Sequence, residues 1–430
     1  MTVSRHITFC LPLLWIAAYP CTAQQTDLPP VTQASEKLVV EHLDPIQVDP
    51  ALSLSQLIEQ TLEKYPDRLI NEALQQQAEA LQQRGNSWLA GSTALALDYN
   101  DDRVANDQGS REASAKLEFT VWNWGQRSAA QHVAEQAGQV AQKQSVAVKL
   151  EVAKLVREAL WDMALAESQF QQAKLNLDIS EQLLNKVRRR VELGDLPRAD
   201  LLLAESDHLQ NKSLLTQAEA EMMHSRKSYA SLTQITQIPA NYQETLSALE
   251  TIQTDHPLLE AMNALVARKQ AAIEWAKTTD TINQPKVSIG GKSSRDQRGT
   301  DDMQSAGVGV VIPFGHSTYD APEIAAAHLE LNQTLAQREH LIRQLEKTLH
   351  EAEHGLEVTR TELSIANQMK DIAEKHLKMT EISFAAGEIN LLDLLKIQAR
   401  SLESIRYAKQ QAVKLQRNIA FYNQAVGILP

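Results

Sequence analysis

Apolar residues recur at three- and four-residue spacing along most of the chain from Leu52 onward, and they alternate with polar residues in four short stretches. The first pattern predicts helices and the second predicts strands. Helical periodicity runs from Leu52 to about Trp88. A strand-like stretch follows, with Thr93, Leu95, Leu97 and Tyr99 on one face and Ala94, Ala96 and Asp98 on the other. After the polar, turn-rich segment Asn100–Arg111, Leu117, Phe119 and Val121 alternate with Glu118 and Thr120, so the two runs predict a β-hairpin. From Gln126 to Leu193 there is no proline and a single glycine, Gly138. A helix of that length reaches about 100 Å. Gly194 is suited to end it, and Pro197 to sit in the first turn of the next helix. That helix runs to about Thr236, ahead of Pro239.

The order then repeats. Tyr65-Pro66 is answered by His256-Pro257, and Val121-Trp122-Asn123-Trp124-Gly125 by Val311-Ile312-Pro313-Phe314-Gly315. A second hairpin is predicted through Val287, Ile289 and Gly291, returning through Val308, Val310 and Ile312. A second long helix is predicted from Asp320, with Pro322 in its first turn and Glu323 completing a capping box, and it ends at Gly387. Two units follow, 51–238 and 239–430. Aligning Gly194 with Gly387 superposes two three-four stripes. One runs from Val156 through Met163, Phe170, Ser180 and Val187 to Val191. The other runs from Leu349 through Leu356, Leu363, Ala373 and Thr380 to Phe384, with Lys370 its one charged interruption. Large residues alternate with small ones, as in a coiled-coil seam whose helices approach closely.

The fold class predicted is mainly α with a small β part, built from duplicated long-helix and β-hairpin units. Residues 1–23 read as a signal peptide: Arg5 and His6 precede an apolar run from Ile7 to Ala18, and Thr22-Ala23 suit cleavage. Residues 24–50, with Pro29, Pro30, Pro45 and Pro50, read as an extended leader. Both cysteines, Cys10 and Cys21, fall in the signal segment, so cleavage after Ala23 leaves a mature chain without disulfides, thiolate metal sites or cysteine nucleophiles. Lipid attachment at Cys21 is disfavoured by Tyr19 and Pro20.

The formal net charge of −12 argues against nucleic acid as a partner. No stretch beyond the N-terminus has the roughly 18 apolar residues of a membrane-spanning helix. No phosphate-binding loop, dinucleotide fingerprint or nucleophile elbow is present, so neither an enzyme nor a cofactor is expected. His350 and His354 share a helical face, but no third ligand accompanies them, and no metal site is expected.

Two hairpins supply four strands, and a membrane barrel closes with about eight or more. Open strand edges are not tolerated in lipid. The hairpins therefore allow two readings. Several chains share one barrel, with Trp88, Tyr99, Trp122, Trp124 and Phe314 near the strand ends where interfacial aromatics belong; or the strands form a small soluble sheet capping the helices.

The turns between the long helices carry a family resemblance. The first reads Arg190-Val-Glu-Leu-Gly194-Asp-Leu-Pro-Arg-Ala-Asp200-Leu, and the second Ser383-Phe-Ala-Ala-Gly387-Glu-Ile-Asn-Leu-Leu-Asp393-Leu. Over about residues 50–430 the chain resembles the TolC family of outer-membrane efflux channels, and more loosely its heavy-metal-efflux branch. The family pattern has Arg four before the glycine and an acid six after it; Ser383 departs from it.

The resemblance implies a homotrimer in outer-membrane lipid, with a hollow α-helical barrel continuous with a 12-stranded β-barrel. It implies a periplasmic tip that meets a periplasmic adaptor linked to an inner-membrane pump. The tip would comprise Arg190, Gly194, Asp195, Leu196, Asp200, Gly387, Glu388, Ile389 and Asp393. The plain readings are the glycines as C-caps, Asp195 and Glu388 as helix-start acids favoured by the dipole, Asp200 and Asp393 as braces of the turn, and Arg190 as partner of a neighbouring acid. A periplasmic adaptor or a soluble coiled-coil scaffold is the alternative, but neither needs a duplicated unit with two hairpins.

Overall fold

A computed structural model describes residues 46–105, 107–279, 284–314 and 317–430. The signal-peptide reading, both cysteines and most of the leader lie outside these residues. The protein is mainly helical. In chain order its elements are β1 (Gln47–Asp49), α1 (Leu54–Lys64), α2 (Arg68–Asn86), β2 (Ala94–Asp101), β3 (Arg111–Thr120), α3 (Gln126–Glu192) and α4 (Arg198–Thr233). There follow β4 (Gln237–Pro239), α5 (Pro257–Thr278), β5 (Lys286–Arg295), β6 (Met303–Val311), α6 (Ser317–Ala385) and α7 (Leu391–Ala425).

Three boundaries differ from the sequence reading. The helix expected over Leu52–Trp88 is two helices. Tyr65 is extended and its N–H turns back to the Leu62 carbonyl, because a residue before proline is pushed out of the α region. The leader ends in a paired strand, Gln47–Asp49 lying parallel to Gln237–Pro239. α4 stops at Thr233, where Gln234 takes a φ of 56°. α6 starts at Ser317, which puts Pro322 inside the helix rather than in its first turn.

The two seams point inward. Val156 and Val187 are fully buried. Leu349, Leu356, Thr359, Ala366, Ala373, Thr380 and Phe384 are all buried too. α3 packs on α4 along one side and on α2, α5 and α7 along others, while α6 packs on α5 and α7. One core gathers α1, α3, α4 and the β1–β4 pair around Leu57, Ile58, Val152 and Tyr229; another joins α6 to the end of α7 around Leu349, Leu356 and Tyr422.

Residues 240–255 carry no helix or strand and run from the first unit to the second. They are held by side-chain bonds. Tyr422 donates to the Leu249 carbonyl at 2.6 Å, and Asn423 Oδ1 accepts from the Ser247 N–H at 2.9 Å.

β2, β3, β5 and β6 form one antiparallel sheet in that order. The register sets Leu95 beside Leu117, Leu117 beside Ile289, and Ile289 beside Val308, a row that crosses all four strands.

Candidate functional site: the paired helix turns and the amphipathic sheet

The turn after α3 and the turn after α6 have the same hydrogen bonds. Gly194 N–H donates to the Val191 carbonyl (3.1 Å) and Asp195 N–H to the Arg190 carbonyl (2.9 Å). Gly387 N–H donates to Phe384 (3.1 Å) and Glu388 N–H to Ser383 (2.9 Å). This is the Schellman closure of a helix, whose left-handed residue favours glycine. Gly194 has φ 83° and Gly387 φ 80°, and a Cβ at either would meet nothing within 4 Å. Both glycines therefore stand at an open surface.

The next helices start differently. Asn390 caps α7, accepting from the Asp393 N–H at 2.8 Å while its own Nδ2 donates to the Asp393 carboxylate at 2.9 Å. Pro197 precedes α4 and makes no side-chain cap. Asp200 lies in the first turn of α4, and its N–H donates to the Pro197 carbonyl. Asp195 and Glu388 are exposed, and Glu388 accepts from Ser383 Oγ at 3.1 Å.

Leu196 and Ile389 are half-buried. They close a small core of Leu183, Leu184, Val187, Phe384, Leu391 and Leu394 that ties the two turns together. Arg190 joins the turns across this core. Its guanidinium lies 5.2 Å from the centre of the Phe384 ring, and Nη1 donates to the Phe384 carbonyl at 3.3 Å. Its partner is thus an aromatic ring and a carbonyl rather than the neighbouring acid expected from the sequence. Phe384 was legible only as the last member of the seam, while Asn390, followed by Leu391-Leu392-Asp393, carried a local cap signal that the sequence analysis did not use.

At the other end of α3 and α6 stands the sheet. One face is apolar and exposed: Leu95, Leu97, Tyr99, Leu117, Ile289, Val308 and Val310 are each 43–71% exposed. The opposite face is polar and internally paired. Lys286 faces Glu118 at 3.7 Å, Lys292 meets Glu112 at 2.5 Å, and Ser114 donates to Asp98 at 3.1 Å. Glycines let the strands approach: a Cβ on Gly290 would fall 2.3 Å from the Ala115 carbonyl oxygen. β2 and β6 each have one unpaired edge.

The aromatic residues divide. Trp88, Trp124 and Phe314 are at least 90% exposed and Tyr99 62%. Trp122 is half-buried; its indole donates to the Ser87 carbonyl at 3.1 Å and packs edge-on against Trp275.

His350 and His354 are exposed on α6, and among the described residues no group of three His, Cys, Asp or Glu is placed to hold a metal ion. None of the described helices is long and apolar enough to cross a membrane.

No family model matches the chain, and no curated protein matches it. Solved structures do. CusC, described as forming a transmembrane channel, superposes with a TM-score of 0.69 at 15% identity, over 89% of this chain and 93% of that one. VceC of Vibrio cholerae, an outer membrane protein, matches with a TM-score of 0.69 at 15% identity, over 87% and 96%. The outer membrane channel CmeC of Campylobacter jejuni matches with a TM-score of 0.68 at 13% identity, over 87% and 85%. These scores are too close to single out the heavy-metal branch. The chain has the fold of the TolC-like outer-membrane channels along nearly the whole of its described length.

Proposed function

We propose that three copies of this chain assemble into an outer-membrane efflux channel, a passive conduit with no catalysis of its own. One observation carries the reading. A four-stranded sheet with an exposed apolar face and two open edges stands at the end of helices about 100 Å long. Alone, such a sheet leaves edge N–H and C=O groups unpaired, which hydrocarbon does not tolerate. Three copies supply twelve strands and close it. The apolar face then meets lipid, and the ion-paired face lines the lumen.

The long helices would cross the periplasm as a hollow cylinder. The two glycine turns would form its periplasmic tip, facing an adaptor bound to an inner-membrane pump. Open space around Gly194 and Gly387, with Asp195 and Glu388 exposed beside them, supports that placement. The likeness in fold to proteins described as an outer membrane channel and an outer membrane protein supports the location.

Native mass of the particle extracted by detergent from outer membranes tests the assembly, and three chains per particle is the expected result. A monomer, or absence from that membrane, overturns it and favours a soluble scaffold. Docking is tested by two variants at one position. Gly194→Ala and Gly194→Arg share the strain of φ 83°, but only arginine fills the open space. Export should survive the first and fail in the second, with trimers formed by both.

A further inference from the structure

Polar residues of the first unit converge at one place that the conduit reading does not use. Ser180 is the only polar residue on the first seam, and it lines a cavity of about 250 Å³ between α3, α4 and α7. Asn176 joins it from α3, Asp207 and Asn211 from α4, and Gln398 from α7. The duplication supplies an internal control. By the Gly194–Gly387 alignment, Asn176, Ser180 and Asp207 correspond to Met369, Ala373 and Arg400 in the second unit. Packing of the long helices alone therefore does not call for an amide, a hydroxyl and a carboxylate here.

Some of these groups are satisfied within the protein. Ser180 Oγ donates to the Leu177 carbonyl at 2.8 Å, and Asn176 Oδ1 accepts from Gln172 at 2.9 Å. Gln398 is not. It is 7% exposed, and its carboxamide has no hydrogen-bond partner among the described residues. The carboxamide is not sealed in, so the surface it keeps belongs to the cavity. A buried carboxamide is normally bonded.

Two carboxylates and no cationic side chain line the cavity. Glu403 accepts through both oxygens from Arg406, at 2.9 and 2.5 Å. Asp207 has no ion pair among the described residues. One of its oxygens accepts from Asn211 Nδ2 at 3.3 Å, and burial raises its pKa despite that bond and the nearby His208. A partly desolvated carboxylate is stabilised by a cation. With Asn211 Nδ2 committed to Asp207, Asn211 Oδ1 is an acceptor that lacks a donor. Asp207, Asn211 and Gln398 thus offer three oxygens, a match for the three N–H donors of a primary ammonium. A divalent metal ion takes about six oxygens or more. Leu214, Leu395 and Leu402 make the cavity's apolar side.

We infer that this cavity binds a small organic cation, a primary ammonium on an aliphatic body. The ammonium donates to Asp207, Asn211 Oδ1 and Gln398 Oε1, and the body packs on the three leucines. Helices of one chain form the site, so it stands apart from the barrel reading.

The test uses n-butylammonium, with uncharged n-butanol as the matched control. Each is titrated into the purified full chain in nanodiscs of zwitterionic lipid and followed by saturation-transfer NMR, with empty nanodiscs subtracted. Saturable binding of n-butylammonium is expected, with n-butanol at least about tenfold weaker. Asp207→Asn keeps the size of the side chain and removes its charge, and should weaken n-butylammonium about tenfold or more. Ala399→Trp, at the exposed mouth, should block it while leaving Asp207 in place. A cavity that holds water only gives no saturable signal. That result, equal binding of the amine and the alcohol, or equal binding by wild type and Asp207→Asn overturns the proposal.

Discussion

Arg157 and Glu244 form a buried bidentate ion pair between α3 and the strap that joins the two units. Arg157 Nε and Nη2 donate to the two carboxylate oxygens at 2.8 and 2.7 Å, and the arginine side chain is 1% exposed. The pair is also bonded outward. Nη1 reaches Gln424 Oε1 at 2.5 Å, Nη2 reaches the Ile428 carbonyl at 3.1 Å, and Asn423 donates to Glu244. One guanidinium thus holds together the middle of α3, the strap and the end of α7.

Removing one partner leaves the other charge buried. Glu244→Gln or Arg157→Ala should each cost about 3–5 kcal/mol, read as a fall in thermal midpoint. The double replacement Arg157→Met with Glu244→Leu should recover much of that loss, since a buried pair often gives little net stability over apolar residues. Equal melting of wild type and the single variants would show that the pair is not desolvated in the assembled protein.

Arg190 links the two helix turns through Phe384, and the exposed rim of that contact limits its strength. Arg190→Ala should lose about 0.5–1 kcal/mol of tip stability. The sensitive readout is local: limited proteolysis at the 193–197 and 386–390 turns should speed up, while Arg190→Lys recovers part of the protection. Unchanged cleavage in both variants would mean the contact does not hold the turns together.

His256 makes stability depend on pH. Burial is the main cause that lowers its pKa, while the Ala425 carbonyl and Asp255 oppose it. An imidazole with a lowered folded pKa contributes stability that is full above its unfolded value near 6.5 and is lost as pH falls through the folded value. Protonation would also turn Nδ1 from acceptor into donor against the Leu258 N–H. Melting should therefore weaken from pH 7 toward pH 5. His256→Asn, which does not titrate, should flatten that part of the profile; an identical slope in the variant would assign it to other groups.

The two faces of the sheet should respond oppositely to charge. Leu97 and Val310 stand on the apolar face, 70% and 61% exposed in the single chain. Arginine at either should cost about 2–4 kcal/mol if the residue meets the middle of a bilayer, seen as loss of assembled particles from the outer membrane. Ser288→Arg on the polar face should assemble. Gly290→Ala should also fail, because its Cβ has no room beside the Ala115 carbonyl.

Much of the architecture followed from periodicity. Without proline the chain from Gln126 had no reason to leave the helix until a glycine let it turn, and α3 ends within two residues of Gly194. The seams were legible because three-four spacing keeps one face inward over any length. Strand faces were legible because alternation fixes them once one side is apolar.

What only the tertiary structure decided lies where distant segments meet. Tyr65-Pro66 splits the stretch read as one helix over Leu52–Trp88, and only the structure shows that α1 then packs on α3 and α4. Arg190 sits beside Phe384, not an acid, because folding brings the ends of α3 and α6 together across a shared core. Arg157 and Glu244 carry no local signal, and His256 was legible only as the residue before Pro257. Their buried bonds and close contacts exist because the strap, α5 and the end of α7 converge on α3 and α6, and convergence of that kind is a property of packing rather than of spacing along the chain.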